Sequence, residues 1–133
     1  MRMTRHFKRE EFDCHDGTQY PANWLLNLKR LCNYLETIRK EIGDRPIKVI
    51  SGYRTSGWNK KCGGAKRSYH LSGIAADIKA KGLSSRKLYG ILDGLMHEGK
   101  IAQGGLGLYR WGVHYDTRGY KTDGSVARWN RFN

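Results

Sequence analysis

The residue that most restricts this chain is Asp77. It stands in Ile74–Lys79 (Ile-Ala-Ala-Asp-Ile-Lys), which alternates like a short strand, with Ile74, Ala76 and Ile78 on one face and Ala75, Asp77 and Lys79 on the other. A carboxylate in so apolar a strand is costly to bury unless it is paired or bound to a metal. One solution is a strand-end ion pair with a nearby lysine. The other begins with His70, seven residues upstream of Asp77. Gly73 lies between them and lets the chain turn, which folds the imidazole back over the face that carries Asp77. Small Ala75 leaves that face open. One nitrogen and one oxygen ligand make half of a zinc site.

A second imidazole on an adjacent strand supplies the other half. Trp111–Asp116 (Trp-Gly-Val-His-Tyr-Asp) reads as that strand, with Trp111, Val113 and Tyr115 directed into packing and Gly112, His114 and Asp116 on the opposite face. His70, Asp77 and His114 then form a three-ligand set, and a tetrahedral ion keeps its fourth position for water, the arrangement of catalytic rather than structural zinc. Ser68, two residues before His70, fits either a turn cap or a hydrogen bond that supports His70. Asp116 lies about 6–7 Å along the strand from His114; it either accepts a proton from the attacking water or orients His114. His6, His15 and His97 have no such partners and read as ordinary surface residues.

These residues carry a family resemblance. Ser-x-His-x-x-Gly-x-Ala-x-Asp over 68–77, followed by Val113-His114-x-Asp116, resembles the zinc D-Ala-D-Ala peptidases of the M15 class, which include bacterial wall carboxypeptidases and phage endolysins. Ser51-Gly52-Tyr53-Arg54, Gly63-Gly64-Ala65-Lys66, Gly104–Tyr109 and Ala127-Arg128-Trp129 look like further landmarks of it. The resemblance implies an α+β fold of the Hedgehog/DD-peptidase type, with a small antiparallel sheet and flanking helices. It implies Zn2+ on His70, Asp77 and His114, and peptidoglycan stem peptides as substrate. It also implies that Arg54 binds the substrate carboxylate or the developing oxyanion, a task that suits a guanidinium fork. The chain departs from the pattern at one place. Much of the class has an acidic residue three positions before the last histidine ligand, and here that position is Trp111. The base role therefore falls to Asp116.

The rest of the chain fits one domain over 1–133. From Pro21 to Gly43, Leu25, Leu28, Leu31, Cys32, Leu35, Ile38 and Ile42 recur at helical spacing. Pro46–Tyr53 reads as a strand, Thr55–Cys62 as a short helix or loop, and Leu88, Ile91, Leu92, Leu95 and Met96 as a helix capped by Ser84. Gly104–Tyr109 is a strand that turns at Arg110-Trp111 into the His114 strand. Cys14, Cys32 and Cys62 are an odd number without a CxxC pair, so incidental thiols are expected rather than a disulfide framework.

The formal charge of +13, from 25 basic and 12 acidic residues, fits a polyanionic partner or simply a well-solvated basic surface. Anionic cell-wall polymers suit the family resemblance. Nucleic acid is the generic alternative, but it gives Asp77 nothing to do and is not expected. No membrane span is expected, and a monomer is. No apolar run follows the basic start, so no secretory signal is expected; synthesis in the cytoplasm and action on the wall after release would suit a lysis enzyme. A non-catalytic zinc-binding wall module of the same fold is the rival reading, motivated by Trp111.

Overall fold

The computed structural model describes residues 1–133. A small N-terminal hairpin, β1 (Arg2–Thr4) and β2 (Phe7–Lys8), leads into a 3-10 turn at Arg9–Phe12. Phe7 and Phe12 point inward from it, each almost fully buried. Pro21 then begins a 3-10 turn at Ala22–Trp24 that runs into α1 (Leu25–Glu41). The strand β3 (Ile47–Ser51), the short helix α2 (Ser56–Lys61) and β4 (Ala75–Ala80) follow. Next come α3 (Ser85–His97), β5 (Leu106–Tyr109), β6 (Gly112–Asp116) and β7 (Arg128–Arg131). Ser84 caps α3 by accepting from the Lys87 amide at 3.2 Å.

The second sheet has five strands in the order β3-β4-β6-β5-β7. The α+β architecture agrees with the sequence reading, with one difference: β7 joins β5 in parallel, so the sheet is mixed. The long loop from Asp116 to Ala127 permits this, because β6 and β7 lie on opposite sides of β5 and the connection must pass across it.

Alternation divides the sheet into two faces. Ala76, Ile78, Ala80, Leu106, Leu108, Val113 and Tyr115 enter the core against Leu28, Leu31, Leu35 and Ile38 of α1 and Leu88, Leu92 and Leu95 of α3. Each such side chain, once buried, contributes about 1.5–3 kcal/mol. The helices therefore occupy one face and leave the other free. Register lines up a row across the free face: Ser51 opposite Asp77, Asp77 opposite His114, His114 opposite Gly107, and Gly107 opposite Trp129. Trp111 is not directed into packing as the strand reading expected. It sits in the β5–β6 turn expected at Arg110-Trp111, 42% exposed, with its ring stacked on Tyr109 at 4.5 Å. The turn takes Trp111 out of the strand alternation before β6 begins.

All three cysteines are free. Cys32 is fully buried in the core, and burial pushes its thiol up to about 12, so it packs as an apolar group. No helix is long and apolar enough to cross a membrane.

The N-terminal hairpin is fastened to α1 by Glu36. Its carboxylate accepts from the Thr4 hydroxyl at 2.7 Å, from the His6 amide at 2.7 Å and from His6 Nδ1 at 2.6 Å. Burial pushes this carboxyl upward, but the donors outweigh it and hold the group below its ordinary value. A carboxyl lowered in the folded state adds stability above its unfolded value and loses it as pH falls through the folded one. Glu36→Gln is expected to lower stability by about 1–2 kcal/mol at pH 7, and the difference is expected to shrink as pH falls below the ordinary glutamate range. Denaturant titration of both proteins across that range checks this.

Candidate metal centre

His70 is set by a short 3-10 turn, Tyr69–Ser72. Ser68 caps the turn: its Oγ accepts from the His70 backbone amide at 3.2 Å. Gly73 ends the turn at φ 70, and a Cβ there would also stand 2.7 Å from the Tyr20 hydroxyl. The imidazole thus turns back over β4. Its Nδ1 lies 2.6 Å from the Gly52 carbonyl oxygen. A carbonyl only accepts, so Nδ1 carries the proton and Nε2 presents a lone pair. That lone pair faces Asp77 Oδ1 at 3.1 Å.

His114 arrives from the neighbouring strand with the opposite nitrogen committed. Its Nε2 donates to Asp116 Oδ2 at 2.7 Å, and its Nδ1 lies 3.1 Å from the same Asp77 Oδ1. The two rings meet edge to face, 5.1 Å between centroids. All three residues are buried, and one donor atom from each lies within 4.8 Å of the others.

This donor set fits a divalent cation. Three lone-pair atoms, Nε2, Oδ1 and Nδ1, converge on one point, and the partners behind the imidazoles fix the tautomers that aim them there. Without a cation or a proton between them these atoms repel. Burial alone would raise the Asp77 carboxyl, but the imidazoles beside it hold it well below the usual range, so it stays a carboxylate. Burial alone would lower His114, but the carboxylates of Asp116 and Asp77 raise it, so the point between the three residues attracts positive charge, from a proton or from a cation. Two nitrogens and one oxygen suit zinc, and the centre opens on a cleft of about 760 Å³ in which further positions are accessible.

A sequence model of the family described as Peptidase M15 matches residues 5–116. The chain belongs to the M15 peptidase family. It is also similar to the zinc D-Ala-D-Ala carboxypeptidase of Streptomyces albus G, 44% identical over 46 residues. That match covers 35% of this chain and 18% of the relative's length.

Around the centre of this M15 family member, Arg54 donates from Nη2 to Asp77 Oδ2 at 3.0 Å, from Nε to Ser51 Oγ at 3.1 Å and from Nη1 to Asn59 Oδ1 at 3.3 Å. Its charge lines the cleft while holding the carboxylate of Asp77. Asp116 does not line the cleft. It is fully buried behind His114, where it accepts from the Gly105 amide at 2.9 Å and from Arg118 Nε and Nη2 at 2.7–3.1 Å. Burial pushes its carboxyl up, but the bonds from His114 and Arg118 prevail and hold it well below the usual range. The sequence reading of Asp116 as proton acceptor meets a carboxylate whose oxygens are already taken. Ser68 caps the turn, and the bond that supports the His70 ring comes from Gly52.

Sequence reasoning gave no role of their own to Gly52, Asn59, Gly107 and Trp129, although Gly52, Gly107 and Trp129 lie in stretches that resemble the family. Gly52 offers its carbonyl, a group with no side-chain signal. Asn59 is buried and ties Arg54 to the Ala65 carbonyl through its Nδ2 at 2.9 Å. Trp129 comes from β7; its indole packs 5.1 Å from the His114 ring and donates to the Tyr109 hydroxyl at 2.8 Å. Gly107 makes room for it, since a Cβ there would overlap the indole. Gly107→Ala is therefore expected to destabilise the fold by about 1–3 kcal/mol. Adding Trp129→Ala to that variant is expected to recover part of the loss. Thermal denaturation of the two variants beside Trp129→Ala alone checks the coupling.

Proposed function

We propose that this protein is a zinc-dependent peptidase that hydrolyses peptidoglycan stem peptides. The observation that carries the reading is the convergence of two tautomer-fixed imidazoles and one carboxylate on the floor of an open cleft. The family and the D-Ala-D-Ala carboxypeptidase relative support the reaction and the substrate class.

In this reading His70, Asp77 and His114 hold the zinc ion, and Gly52 and Asp116 keep the two imidazoles aimed. When bound, zinc supplies Lewis acidity and a water of lowered pKa. Arg54 has two tasks. It orients Asp77, and the N–H groups not used on Asp77, Ser51 and Asn59 face substrate charge, either a terminal carboxylate or the oxyanion. Trp129 and Tyr109 wall the cleft beside His114 and limit water around the reacting bond. Asp116 acts through His114 as an orienting residue, because its carboxylate is buried behind the ring and held by His114, Gly105 and Arg118. Asp77 is the one carboxylate that lines the cleft.

That lack of a second carboxylate favours one rival: a zinc-binding cell-wall module of the same fold that does not hydrolyse. Zinc analysis with hydrolysis of purified muropeptides separates the two. The peptidase reading expects one zinc per chain and hydrolysis abolished by His70→Ala. Zinc binding without hydrolysis would establish the module, and no zinc would remove both. Mass spectrometry of the products tells carboxypeptidase action at D-Ala-D-Ala from endopeptidase action, including that of a lysis enzyme.

Asp116→Asn is expected to weaken zinc binding about 10–100-fold and to leave turnover at saturating zinc within a few-fold of the parent. Zinc titration beside turnover checks it. A loss of turnover of ~10²-fold or more at full zinc occupancy would restore Asp116 as the base.

A further inference from the structure

The free face of the sheet carries a second row beside the metal row. Lys48 of β3 stands directly opposite Lys79 of β4, and Tyr109 of β5 stands opposite both Gly112 of β6 and Arg131 of β7. Lys48 and Lys79 are each three or two residues from Ser51 and Asp77 on the same strands, and Arg131 is two from Trp129. The second row therefore runs about 6–7 Å from the metal row. Its cations, Lys48, Lys79 and Arg131, are exposed. None of them forms an ion pair.

Like charges directly across a strand pair are destabilising, and here they are left without a carboxylate. Protection of a sheet edge against pairing explains a lysine on an outer strand. It explains Lys48 on β3 but not Lys79, since β4 is flanked on both sides by β3 and β6. Lys48 and Lys79, with Lys81, line a hollow of about 430 Å³ that contains no acidic residue. Arg131 lines the main cleft at the other end of the row. Gly112 lies in the middle of the row and adds no side chain above the floor.

We propose that Lys48, Lys79 and Arg131 form a carboxylate-binding row for acidic side groups of the same peptide substrate. This rests on the peptidase reading for the position of the bond cleaved. An extended peptide advances about 3.3 Å per residue, so a carboxylate two residues from the scissile bond lies over the second row when that bond lies over the first. Arg131 serves a peptide leaving the centre on the β7 side, and the lysine pair serves one leaving on the β3 side.

The test uses the zinc-loaded protein and a synthetic wall stem pentapeptide ending in D-Ala-D-Ala. The peptide is prepared with its side carboxylates free or amidated, and each form also as an uncleavable analogue with the scissile amide reduced. Calorimetry at low ionic strength gives Kd for the analogues, and product formation gives KM and kcat. The parent is expected to prefer the free-carboxylate form by about 5-fold or more. Lys48→Gln/Lys79→Gln/Arg131→Gln is expected to lose that preference in Kd and KM, and the lysine pair alone is expected to lose it when the peptide leaves on the β3 side. Lys48→Arg/Lys79→Arg is expected to keep it, which separates charge from folding. A preference that survives charge removal overturns the proposal. So does a preference that is absent in the parent while poly(glycerol phosphate) binds through the same lysines, since the row would then serve a polymer phosphate. If neither cleavable peptide is hydrolysed but the preference is present and lost with the lysines, the row stands and the peptidase reading falls.

Discussion

A buried carboxylate needs company, and the free face of this sheet is built around that need. Asp77 sits in the middle of β4 with very little exposure, between an imidazole on each side of Oδ1 and a guanidinium on Oδ2. Each partner comes from a different segment: Arg54 from beyond β3, His70 from the turn before β4, His114 from β6. The register that pairs Asp77 with both Ser51 and His114 is thus enforced twice, by backbone hydrogen bonds and by charge. A slip of one residue would carry the carboxylate to the core face, among Leu88, Val113 and Ile78, where nothing could answer it.

The atoms behind the imidazoles matter as much as the imidazoles. His70 is held through Nδ1 and His114 through Nε2, so the two present different nitrogens to the same point. The supporting acceptors differ in kind as well: a backbone carbonyl for one, an ionised carboxylate for the other. The carboxylate is itself neutralised by Arg118, whose guanidinium lies over the Tyr69 ring at 4.1 Å. Charge is therefore balanced in layers outward from the centre, whereas at the second row of the sheet positive charge stands unanswered.

Much of this was legible in the sequence because it depends on spacing. Helical periodicity placed α1 and α3, and strand alternation put Asp77 and His114 on the same side of their strands. Glycine at 73 announced the turn that returns His70. What sequence could not supply was direction beyond the strand. Asp116 is two residues from His114, and pleating alone puts both on one face. Whether its carboxylate faces the cleft or the back of the ring depends on Gly105 and Arg118, which are 11 and two residues away in sequence but adjacent in space. Trp111 was read both as a strand residue directed into packing and as part of the Arg110-Trp111 turn, and the turn is where it lies. Trp129 stood in a landmark stretch, but its place beside His114 was not readable, since a parallel pairing across a long loop leaves no periodic trace.

That parallel pairing makes the wall of the cleft the least anchored part of the sheet. β7 has a neighbour on one side only, β5, and its residues Arg128 to Arg131 are half-buried or exposed. Edge segments with few buried contacts open locally at a fraction of the global unfolding free energy. His70, Asp77 and His114 lie on elements deep in the sheet or packed against it, whereas Trp129 lies on an edge strand. The protein thus combines a floor held on both sides with a wall held on one, and a local opening of β7 would widen the cleft without moving the metal ligands.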